Sequence, residues 1–100
     1  MRVVALVPDL MDRSKVSAAS PGVVFVGSAA GLAAASAGAD LVVVDLSRPG
    51  VVDALAGLSA RTIGFGSHVD RELLAAASAA GCDLVLPRSQ FFSRLGELLA

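Results

Sequence analysis

The stretch Asp40-Leu41-Val42-Val43-Val44-Asp45-Leu46-Ser47-Arg48-Pro49-Gly50 sets the reading of this chain. Leu41 to Val44 form an unbroken aliphatic run, mostly β-branched, between two aspartates, and a Pro-Gly pair closes the segment. Branching at Cβ favours extended backbone. An apolar run without inside/outside alternation marks a strand covered on both faces, the situation of a parallel sheet. Asp45 then stands where that strand gives way to a loop.

On either side of this segment, three more runs have the same character: Val3 to Val7, Val23 to Val26 and Leu84 to Leu86. A fifth, Thr62 to Phe65, is interrupted by Gly64 but lies where the spacing of the others demands a strand. The segments between them have helix composition. Leu10 to Ala19 follows Asp9 and stops before Ser20-Pro21-Gly22, Ala29 to Ala37 ends at Gly38, and Val51 to Leu58 follows Pro49-Gly50. Asp70 to Ala80 is the clearest, with Asp70 as N-cap, Leu73, Leu74 and Ala77 on one face, and Gly81 as the stop. Phe91 to Leu99 closes the chain, packing through Phe91 or Phe92, Leu95, Leu98 and Leu99. The order βαβαβαβαβα, with right-handed crossovers and one reversal of strand order, predicts a doubly wound α/β fold. Its five-stranded parallel sheet would be flavodoxin-like, in three αβα layers.

One hundred residues suffice for a single core, so the expectation is one domain over 1–100 without an output domain. Hydrophobic residues make up 55% of the chain and aromatics 4%, so the core must be built from Val, Leu and Ala. The basic residues Arg2, Arg13, Lys15, Arg48, Arg61, Arg71, Arg88 and Arg94 are scattered, and the net charge is -1, which gives no stripe for nucleic acid. No run approaches the ~20 apolar residues of a membrane span, and Pro8-Asp9 cuts the first run short of a signal sequence. The lone Cys82 forms no internal disulfide, and no Cys/His cluster offers a zinc site. A cytoplasmic location is the expectation.

In an open parallel sheet, ligands bind beyond the carboxyl ends of the strands. Those ends are Pro8-Asp9, Gly27-Ser28, Asp45-Leu46-Ser47, Gly66-Ser67-His68 and Pro87-Arg88. Carboxylates among them suit a hard cation, and hydroxyls with a guanidinium suit a phosphoryl group. Simpler roles exist beside these: Asp9 as a helix cap, Asp12 in the favourable first turn, and Asp45 as a solvated loop acid. His68 lies beside Ser67 and near Asp70, but adjacent residues do not meet as nucleophile and base, and no Gly-x-Ser-x-Gly elbow is present, so a hydrolase is not expected. Gly27-Ser28-Ala29-Ala30-Gly31 lacks the third glycine of a dinucleotide site and the lysine of a P-loop, and reads as close packing.

The segment from Asp40 to Gly50 resembles the third strand and following loop of response-regulator receivers, with Asp45 at the phosphorylated position and Pro49 at the matching proline. Ala79-Ala80-Gly81-Cys82-Asp83-Leu84-Val85-Leu86 is similar to the helix end and fifth strand of the same family. The resemblance implies that Asp45 is a phosphoacceptor and that Arg88 stands for the phosphate-pairing lysine. Ser67, or Gly66 in its place, would fall at the phosphate-sensing hydroxyl. It further implies Mg2+ held by Asp9, Asp45 and the main-chain carbonyl of Ser47, with Asp12 as a further carboxylate. The chain departs from the family where Pro8 replaces the first of two acids, where Arg88 replaces lysine, and where Ser89 follows it instead of proline. Two readings follow: a stand-alone signalling domain without enzymatic activity, switching a protein partner such as a kinase or output protein through Asp45, or a pseudo-receiver serving as a constitutive interaction or homodimerisation module.

Overall fold

In the computed structural model, which describes Met1–Ala100, the apolar runs become five strands: β1 (Val3–Leu6), β2 (Val24–Phe25), β3 (Leu41–Asp45), β4 (Arg61–Gly66) and β5 (Leu84–Pro87). All pair in parallel, in the order β2-β1-β3-β4-β5. The order reverses once, between β1 and β3, as the doubly wound reading requires. β2 is shorter than the expected Val23 to Val26. It lies at the sheet edge between Pro21-Gly22 and Gly27 and pairs only at Val4↔Val24 and Ala5↔Phe25. Conversely, β4 is longer than expected, and its glycine has a structural cause. A Cβ on Gly64 would lie 2.7 Å from Leu46 Cδ2, so only glycine admits the buried Leu46 side chain.

The helices are α1 (Leu10–Ala19), α2 (Leu32–Ser36), α3 (Val51–Ala54), α4 (Arg71–Ala79), α5 (Arg88–Ser93) and α6 (Leu95–Leu98). α1 has the span read from the sequence, with Asp9 as its cap. α4 is capped by Asp70, whose carboxylate accepts from the Leu73 amide, and is stopped by Gly81 at φ +100. The second and third helices are shorter than expected, because Ala29–Gly31 and Leu55–Gly57 adopt the tighter 3-10 turn. The single closing helix expected over 91–99 is two. It starts earlier, at Arg88 directly after Pro87, and breaks at Arg94, where φ -108 and ψ 12 leave the helical range and Gly96 follows.

Strand alternation divides the core into two faces. Val3, Ala5, Val7, Leu41, Val43, Ile63 and Phe65 pack against Val16 of α1 and Phe91, Leu95 and Leu99 at the C-terminus. Leu6, Val42, Val44 and Leu46 pack instead against Leu32, Val51, Leu55, Ala77 and Cys82. The first face holds an aromatic cluster, with Phe65 and Phe91 stacked at 4.8 Å and Phe92 edge-on to both. The second is entirely aliphatic apart from the Cys82 thiol, which burial pushes above its ordinary 9.0.

Candidate functional site

The alternation that builds the two faces also aims Asp45. Leu41 and Val43 face the aromatic side, so Asp45, two residues on, shares that side, while Leu46 turns to the aliphatic one. The Leu46 amide extends the sheet by donating to the Phe65 carbonyl at 2.9 Å. Asp45 is thus fixed from both flanks and is only 9% exposed. Its Oδ1 accepts from the Ser47 amide at 3.0 Å and the Ser47 hydroxyl at 2.7 Å, an Asx-type turn. Its Oδ2 has no protein donor; since no buried side-chain polar atom is left unpartnered, that oxygen reaches solvent. The Ser47 carbonyl accepts no backbone hydrogen bond.

Two further acids lie at the same edge, on the turn from β1 into α1. Asp9 is exposed and its Oδ1 accepts from the Asp12 amide at 3.0 Å, so the capping role is real. Asp12 is 2% exposed and binds Arg88 Nη2 through Oδ1 in an ion pair that joins α1 to α5. The Arg88 guanidinium is held above its ordinary range chiefly by this hydrogen bond, against desolvation, and then by the charges of Asp12, Asp45 and Asp9. Asp9, Asp12, Asp45 and Arg88 therefore share one electrostatic environment. Arg88 also sits over the rings of Phe65 and Phe92, at 5.7 and 5.0 Å from their centroids.

Ser67 and His68 are both exposed in the loop after β4, and the Ser67 hydroxyl accepts from the Val69 amide at 3.4 Å. Its own proton remains free to donate. The sequence reading treated Asp12 and Arg88 separately and missed their pairing. One signal was available: Asp12 lies four residues before the buried Val16, so both occupy the inner face of α1.

No three of the His, Cys, Asp and Glu side chains group as metal ligands. Asp9 and Asp45 each keep one carboxylate oxygen free of a protein donor, and the Ser47 carbonyl accepts no backbone hydrogen bond, so these three residues have oxygens that could be offered to Mg2+. This hard oxygen set suits an ion that is held by one or two carboxylates and keeps several waters. Asp12 is committed to Arg88.

No protein-family model matches this chain, and no curated protein matches it. The crystal structure of a response regulator from Hahella chejuensis is similar to it with a TM-score of 0.83 at 16% sequence identity, covering 98% of this chain and 91% of that chain. The chain has the receiver fold. At that identity the shared property is the receiver sheet and its helices. No helix is long and apolar enough to cross a membrane.

Proposed function

We propose that this receiver-like domain is a cytoplasmic signalling module that controls a protein–protein interaction, with Asp45 as its phosphoacceptor. One observation carries the reading: Asp45 presents a single free carboxylate oxygen at the strand end, and Arg88 lies within electrostatic reach of it and of Asp9. In the transfer, Asp45 Oδ2 forms a bond to phosphorus in line with the leaving oxygen of a small phosphodonor, which departs with the bonding pair. Ser47 holds the other oxygen and fixes the attack direction. Arg88 offers positive charge to the transferring group, and Ser67 a hydroxyl donor on the neighbouring loop. Mg2+, where bound by Asp9, Asp45 and the Ser47 carbonyl, supplies charge neutralisation. The added phosphate competes with Asp12 for Arg88, which couples the acceptor to the α1–α5 contact and so to the surface a partner reads.

A second reading rests on the same ion pair. Asp12 already neutralises Arg88 and Pro8 removes an acid, so a pseudo-receiver that engages a partner or a second copy constitutively is also consistent. Incubation with a small acyl phosphate and Mg2+, followed by intact mass, separates the two. Addition of one phosphate that disappears in Asp45→Asn supports the phosphoacceptor; no addition, or addition that survives the substitution, removes it. Thermal stability with and without millimolar Mg2+ gives a second readout, because an ion binding only the native state raises it.

A further inference from the structure

Outside the Asp45 turn, the largest concavity is a pocket of about 390 Å³ lined by Lys15 of α1, Ser67 and His68 of the loop after β4, and Arg88, Ser89 and Phe92 of α5. We infer that this pocket, which shares Arg88 and Ser67 with the site proposed above and adds Lys15, His68, Ser89 and Phe92, is a noncovalent binding site for a small phosphate-bearing anion and needs no phosphate on Asp45. Its lining has one chemical bias: two cations, an imidazole and two hydroxyls converge, and no carboxylate lines it. Such a donor set matches the oxygens of a phosphomonoester.

The arrangement of the cations points the same way. Lys15 Nζ lies 5.2 Å from the centroid of the Phe92 ring and Arg88 Cζ lies 5.0 Å from it, so two positive charges share one ring. Only one of them is neutralised. The ion pairs of the protein are Arg88 with Asp12 and Arg94 with Glu97, and Lys15 has no acidic partner. The ring attracts both cations but cancels neither charge, and an anion seated between them would. Around them, the Ser67 hydroxyl only accepts within the protein, and the Ser89 hydroxyl makes no hydrogen bond. Both protons are available to a ligand. A lone phosphate fills a small part of about 390 Å³, so the cavity, which falls in the usual size range of small-molecule sites, has room for an organic body on the phosphate.

The test uses the whole protein, 15N-labelled, in EDTA without any phosphodonor, titrated with phenyl phosphate and separately with inorganic phosphate. Sodium chloride at matched ionic strength is the control. Saturable shifts at Lys15, Ser67, His68, Ser89 and Phe92, tighter with phenyl phosphate and absent with chloride, are the expected result. Lys15→Ala, a change at an exposed position, should weaken binding roughly five- to tenfold, the scale of one net hydrogen bond at a solvated site. Asp45→Asn, which removes a negative charge acting on Arg88, should not weaken it. Shifts that do not saturate, that chloride reproduces, or that Lys15→Ala leaves equally tight would overturn the site. Loss of binding in Asp45→Asn would assign the anion to the Asp45 turn and overturn it too. Since neither Mg2+ nor a phosphodonor is present, the outcome is separate from the mass measurement on Asp45.

Discussion

The two faces of the sheet are built from the same strands by different means. On one, Phe65, Phe91 and Phe92 interlock beneath Arg88 and Lys15. On the other, Leu, Val, Ala and Cys82 fill the space under the short α2 and α3 and under α4. The two faces divide the labour. The aromatic face carries every charged group of the candidate site, because large rings provide both a core and a platform on which cations rest. The aliphatic face carries none, and its part is to hold Leu46, and hence the turn at Asp45, in place.

Removing the keystone of the aromatic face should have the largest effect. Phe91 is fully buried and stacked on Phe65, so Phe91→Ala is expected to lower stability by ~3–5 kcal/mol, read by urea denaturation. Against a total of roughly 5–15 kcal/mol for a domain, that is a large share. A loss no greater than that of an exposed alanine substitution would show that the rings are not the core of this face.

A contact within the aliphatic face comes next. Gly64→Ala drives a methyl group into Leu46, with three side-chain atoms at 3.0 Å or closer, and should destabilise by ~1–3 kcal/mol. The same variant should move the amide resonances of Leu46 and Ser47. Leu46→Ala in the Gly64→Ala background should recover part of the displacement, and no recovery would show that the two residues do not meet.

Smaller again is the charge that joins α1 to α5. Asp12→Asn keeps the shape and removes the charge pairing with Arg88, whose side chain is 47% exposed. About 1 kcal/mol is expected from an ion pair of this partly solvated kind, with a chemical-shift response at Arg88 and Phe92 and none at Leu32 or Val51. A response spread equally over both faces would break the division drawn above.

The smallest effect lies on the aliphatic face. Burial raises the Cys82 thiol above 9.0, so its contribution is complete below that pH and declines as pH rises through the folded value, because the unfolded chain ionises first. The wild-type protein should therefore lose stability on the alkaline side more steeply than Cys82→Ala. Parallel curves above pH 9.0 would remove the claim.

Much of this architecture was legible before the structure. The strand cores of β1, β3, β4 and β5 follow from β-branched runs, α1 and α4 from their caps, and the parallel sheet from the βα alternation, while the single reversal of strand order was a condition that the structure meets. Three things were not. Gly64 weakens a strand when read locally, and its purpose is visible only once Leu46, from a different strand end, lies against it. The closing helix looked continuous, because apolar spacing from Phe91 to Leu99 does not register the turn at Arg94. The Asp12–Arg88 pair spans 76 residues of sequence, and only the crossing of α1 and α5 on one face brings it together. For the site, the positions of Asp9, Asp45, Ser67 and Arg88 at the strand ends were legible, while the partners that hold them were not.

The close fit of Leu46 against Gly64 has a consequence for any descendant of this sequence. The two positions share one fixed volume, so they can drift only as a pair: a chain that gains a side chain at 64 must shed carbon at 46, and one that enlarges 46 must keep 64 bare. Because residue 46 adjoins the acceptor candidate, that trade in size would be written next to Asp45 whether or not Asp45 ever receives a phosphate. An inverse relation of side-chain size between the two positions is thus a signature of the scaffold rather than of signalling.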